Sequence, residues 1–160
     1  MEMFSDANKI IELVNHYKNN PAPTEKLTGS NGILGNGWED FFWDFIDMVD
    51  YKSDNSYVRV GKIIGRLIDF GIFDKSVVRK LEAATNYKRK FLWNAYEEKK
   101  EELNLPNVLS ADSWSDASAD VVSRGKDFYN QVLDNPKIIS DMLKDYDYWE
   151  SFLYSFNDFI

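Results

Sequence analysis

The chain contains no cysteine and a single histidine, His16. Without cysteine there is no disulfide, no thiolate nucleophile and no cysteine-ligated metal. One imidazole makes neither a His-Cys dyad nor a histidine-rich metal centre. No GxSxG elbow presents a serine nucleophile. Long apolar runs are also lacking, and none approaches the ~20 residues that cross a bilayer. The opening residues, MEMFSDANK, have neither the basic nor the apolar region of a secretory leader. These absences predict a cytoplasmic protein with no cofactor, no membrane contact and no catalysis of its own. His16 reads as an ordinary helix-surface residue.

Recognisable phosphate loops are missing too. The stretch 20–37 carries Gly29, Gly32, Gly35 and Gly37, with Asn-Gly pairs at Asn31-Gly32 and Asn36-Gly37. Asn-Gly favours tight turns with positive φ. Neither GxxxxGK[ST] nor GxGxxG occurs, and the next helix opens with Glu39 and Asp40. Those carboxylates take the positive end of the helix dipole that a phosphate would need. Of paired acidic metal motifs, Glu98 and Glu101 make one half of an ExxE…ExxD arrangement whose other half does not follow. DFG at 69–71 stands without any other kinase feature.

What the chain does have is apolar material and negative charge. A length of 160 residues fits one domain, and 44% hydrophobic content with 16% aromatics supplies a core. Net charge is −8, unevenly spread: ten acids against four bases in 1–58, three against nine in 59–90, and fourteen against six in 91–160. An acidic chain is a poor partner for nucleic acid, whose phosphates need a cationic face. It suits a cationic protein met through long-range steering.

Hydrophobic spacing of three and four residues recurs throughout, and no run alternates long enough for a confident strand. The expected fold is all-α, a single compact domain over 1–160 with about six to eight helices. A first helix runs from Ser5 to about Asn19 and stops before Pro21 and Pro23. The helix over about 55–70 carries Gly61 and Gly65, the usual signature of close approach by a neighbouring helix. Thr85-Asn86 breaks or bends the helix that follows. Lys88, Arg89 and Lys90 read as a solvated face or as partners of acids in the same protein. Asn135-Pro136 starts the final helix, with Met142, Tyr146, Trp149, Phe152, Leu153, Phe156 and Ile160 on one face and a break near Asp145.

Two stretches organise the surface. In WEDFFWDFIDMVDY, residues 38–51, the acids Glu39, Asp40, Asp44, Asp47 and Asp50 share one arc of about 140°. Trp43 projects from the middle of that arc, so it is either packed under a loop or an aromatic anchor ringed by carboxylates. If 112–134 is one helix, Asp112, Asp116, Asp120, Asp127 and Asp134 line up within about 80°. Aspartate is a poor helix former, so this ridge sacrifices propensity. The candidate partner-binding residues are Trp43, Glu39, Asp40, Asp44, Asp47, Asp112, Asp116, Asp120 and Asp127.

In size, acidity, aromatic richness and lack of catalytic residues the whole chain resembles the immunity proteins of contact-dependent growth inhibition and other polymorphic toxin systems. That resemblance implies direct binding to a cognate cationic toxin, typically a nuclease, and transfers no residue roles. Two other readings compete with it: a nucleic-acid mimic that blocks a DNA-binding enzyme, and a helical adaptor whose site is an uncharged groove.

Overall fold

Tryptophan and phenylalanine packed around the second helix set the centre of the molecule. The computed structural model describes residues 2–54, 56–108, 110–148 and 152–159, with backbone alone for 2–6 and 54. Among these residues there are eight α-helices: α1 (Glu2–Asn19), α2 (Trp38–Val49), α3 (Tyr51–Asp54), α4 (Tyr57–Asp69), α5 (Lys75–Lys99), α6 (Ala111–Ser123), α7 (Lys126–Asp134) and α8 (Lys137–Asp145). A 3-10 helix, Phe152–Phe159, closes the described chain, and a small hairpin joins α1 to α2. The all-α expectation holds, with one hydrophobic cluster drawing side chains from every helix.

The hairpin, β1 (Gly29–Ser30) and β2 (Ile33–Leu34), is antiparallel with Ser30 opposite Ile33. Its two-residue turn is Asn31-Gly32, at φ +53° and +84°. Positive φ at both central positions is what a type I′ turn requires. Asn36 and Gly37 repeat the pattern at φ +58° and +85° and feed the chain into α2.

Caps set several helix starts. Ser56 accepts from the Arg59 amide, Asp74 from Val77 and Ser110 from Ser113. The sequence Ser53-Asp54-Asn55 reads as a turn and cap ahead of α4, and of these Asn55 lies outside the described residues. α1 begins before Ser5, which therefore sits within the helix, and it ends at Asn19 as expected. α5 runs unbroken through Thr85-Asn86. Thr85 returns its hydroxyl to the Leu81 carbonyl at 2.8 Å, so the polar side chain is satisfied inside the helix.

Two long expected helices are each divided. The stretch 112–134 splits at Gly125, whose φ of +106° carries the chain out of α6 and into α7. The final helix ends at Asp145, near the expected break, with Tyr146 at φ +53°. Tyr146, expected on the core face, is 79% exposed as a result. Phe152 and Phe156 are fully buried as expected, while Trp149 and Ile160 lie outside the described residues. The 3-10 helix lies along α4. A Cβ on Gly61 would stand 3.5 Å from the Ser155 carbonyl oxygen, and one on Gly65 would stand 3.5 Å from the Phe159 ring. A neighbour does pack over the glycine pair, at distances where an added methyl would make ordinary van der Waals contact.

Candidate partner-binding surface

α2 is buried on almost every side, and this decides the fate of its acids. Trp38, Phe41, Phe42, Trp43, Phe45, Ile46 and Val49 are all buried. Trp43 retains only 5% exposure. Its ring lies edge-on to Phe42 at 5.0 Å and tilted against Tyr129 at 5.3 Å, and its indole N–H donates to Glu39 Oε2 at 2.8 Å. The expectation of an exposed aromatic anchor on the acidic face is corrected here. The hairpin and α7 cover that part of the arc, so Trp43 packs as core.

Glu39 is drawn inward by the same covering. Its Oε1 accepts from the Leu34 amide at 2.9 Å and from Lys88 Nζ at 2.6 Å. Lys88, on α5, is 2% exposed and also donates to the Gly32 carbonyl at 2.7 Å. Its ammonium lies 5.5 Å from the Trp43 ring centre and 5.8 Å from that of Tyr129. Tyr129 in turn donates its hydroxyl to the Lys88 carbonyl at 2.9 Å. Burial alone would raise the Glu39 pKa. The Leu34 amide, the Lys88 ammonium and the Trp43 indole outweigh it and hold the carboxyl below its ordinary value. Burial draws the Lys88 pKa down, against the pull of Glu39. Lys88 thus pairs within its own chain, as one reading of the basic triplet required. Glu39 is removed from the candidate surface, because its oxygens already serve the interior.

Asp120 leaves the surface for a similar reason. It is 1% exposed and grips Arg124 one turn on, with Nε to Oδ1 at 3.0 Å and Nη2 to Oδ2 at 2.9 Å. Asp116 is half-buried and acts electrostatically on Arg89, whose Nε donates to Ser118 at 2.8 Å. The expected aspartate ridge is therefore not a line. Its helix is broken at Gly125 and its middle member faces inward.

What remains outside is a smaller acidic face. Asp40 and Asp47 are exposed on α2, and Asp127 is exposed on α7. None of these three has a basic side chain within 4.0 Å among the described residues. The fold brings Asp47 to the α6–α7 joint, where its Oδ1 lies 3.4 Å from the place of a Cβ on Gly125. A carboxylate there faces the N-terminal end of α7, which favours negative charge. Asp44 is 36% exposed and meets His16 Nε2 at 2.8 Å, so the lone histidine is tied to the acidic face. Asp112 is exposed at the start of α6, apart from this group in the chain.

One exposed aromatic escaped the sequence reading. Trp93 on α5 is 39% exposed and packs edge-on against Trp114 at 5.1 Å. The signal was its position one residue off the buried series Thr85, Lys88, Leu92 and Tyr96.

Among the described residues no cluster of histidine, cysteine or carboxylates could hold a metal, and no helix is long and apolar enough to cross a membrane. No family model, curated protein or solved structure matches the chain. The class defined by fold and surface is a helical domain with an acidic outer face and an internally paired lysine.

Proposed function

We propose that this chain is a binding protein for a basic protein partner and, more finely, an immunity protein that neutralises a cognate cationic toxin such as a nuclease. The observation that supports this is the sorting of carboxylates. Glu39 and Asp120 are consumed inside, while Asp40, Asp47 and Asp127 stay exposed without a basic partner within 4.0 Å among the described residues. Unpaired carboxylates on a chain of net charge −8 attract and orient a basic surface and raise its association rate. The straight carboxylate line on which the mimic reading rests is interrupted at Gly125, which favours a protein surface over phosphate mimicry.

Co-expression with a toxin domain encoded beside this chain is the test. The wild-type chain should restore growth of cells making that toxin, and a variant with Asp40, Asp47 and Asp127 each changed to Lys should not. Purified components should associate more slowly at high salt. Absence of rescue by the wild type, or full rescue by the charge-reversed variant, overturns the proposal.

A further inference from the structure

A concavity lies between α4 and the 3-10 helix. Its volume is about 850 Å³, within the range that holds a small organic ligand. Gly61 and Gly65 leave the α4 side flat, and Val58 and Tyr154 keep apolar surface open at 52% and 45% exposure. Large apolar groups left in the open beside a concave site are a recognised mark of binding.

The charges along the groove are specific. Arg59, also a lining residue, donates from Nη1 to the Val49 carbonyl at 3.0 Å. Lys62 and Arg66, one turn apart, are both exposed lining residues. Neither has a carboxylate within 4.0 Å among the described residues. Asp69 and Asp158 also line the groove, so it is of mixed charge as a whole, and the Lys62–Arg66 stretch is where an anion fits.

We infer that the α4/3-10 groove binds a small amphipathic anion: an alkyl or aryl carboxylate with its chain over Val58 and the glycine pair and its head on Lys62 and Arg66. This is independent of the acidic face. Charge complementarity selects the occupant. A cationic head would meet an ammonium and a guanidinium. A second copy docked by the same patch would pack the groove against itself, and sedimentation separates that outcome from ligand binding.

The experiment uses the whole chain, with dodecanoate as probe and dodecanol and inorganic phosphate as comparators, read by calorimetry and by sedimentation. Dodecanoate should bind one per chain, with the protein still monomeric. Dodecanol, lacking the charge, should bind at least roughly tenfold more weakly, and so should dodecanoate to the Lys62→Glu/Arg66→Glu variant. Val58→Trp, a change at an exposed wall residue, should block the groove while the melting temperature stays within about 1 °C, as for an ordinary surface substitution. The inference is overturned if dodecanol binds as tightly as dodecanoate, if charge reversal leaves affinity unchanged, if phosphate alone competes fully, or if the groove is buried by self-association. Binding of an acidic peptide in preference to dodecanoate would overturn it equally.

Discussion

Replacing Lys88 with Met tests how α5, the hairpin and α2 are held together. The substitution keeps the alkyl stem and deletes the ammonium. Glu39 then keeps only the Leu34 amide and the Trp43 indole as partners, and the Gly32 carbonyl loses its donor. Removing one member of a buried pair costs about 3–5 kcal/mol, because the other charge stays behind uncompensated. Glu39 keeps 17% of its side chain exposed, so water softens the penalty and the lower figure, about 3 kcal/mol, is expected. For a chain of this length that corresponds to a fall in Tm of about 6–12 °C. It is also a large share of the ~5–15 kcal/mol that holds a domain together. Urea titrations followed by tryptophan fluorescence and by far-ultraviolet dichroism give the number. Glu39→Gln added to Lys88→Met removes the stranded charge, so the double variant should be more stable than Lys88→Met alone. A loss below about 1 kcal/mol for Lys88→Met, or strict additivity of the two changes within ~0.5 kcal/mol, refutes the reasoning.

Other expectations follow from the same geometry. Since the folded Glu39 carboxyl lies below its ordinary value near 4.5, its stabilisation is complete above that pH and fades as pH falls through the folded value. Acid unfolding should therefore be shallower in Glu39→Gln than in the wild type, as read by dichroism across pH 2–5. Trp43→Ala should lower stability by about 3–5 kcal/mol, as a core truncation does, while leaving the affinity of the folded fraction for a basic partner unchanged in binding kinetics. Gly125→Ala should cost about 1–3 kcal/mol in chemical denaturation, because φ of +106° is strained for a residue with a Cβ.

Much of the fold was legible because periodicity and punctuation agree locally. Asn31-Gly32 announced a tight turn, Gly61 and Gly65 announced a close neighbour, and the break at Asp145 followed from an acid on an apolar face. The failures share one cause. A helical wheel assigns one buried face and one open face, and on α2 the open face is only the narrow stripe of Asp40, Asp44 and Asp47. Glu39 and Trp43 lie on the acidic arc, yet the hairpin and α7 cover that side, and nothing within residues 38–51 encodes the cover. Covering a carboxylate there requires Lys88, 49 residues away in the chain. Likewise the aspartate spacing in 112–134 has meaning only if Gly125 continues the helix, and Gly125 is the one residue there free to leave it. The groove was visible only as the glycine pair Gly61 and Gly65; its other wall comes from the C-terminal 3-10 helix, far off in sequence.

The Lys88 tether has a consequence for the order of assembly. Strands of two residues each make a hairpin too short to persist alone in water. Its carbonyl anchor is 56 residues downstream, so the entropy of closing that long loop falls on the hairpin's docking step. Contacts of this kind form after local helices have collapsed, late on the route to the native state. Changes at Asn31 or Gly32 should then leave refolding rates almost untouched and show up as faster unfolding in stopped-flow traces. Slowed refolding would place the hairpin in the nucleus instead. The segment joining α1 to α2 is thus expected to act as a kinetic latch, governing how long the folded state lasts more than how quickly it is reached.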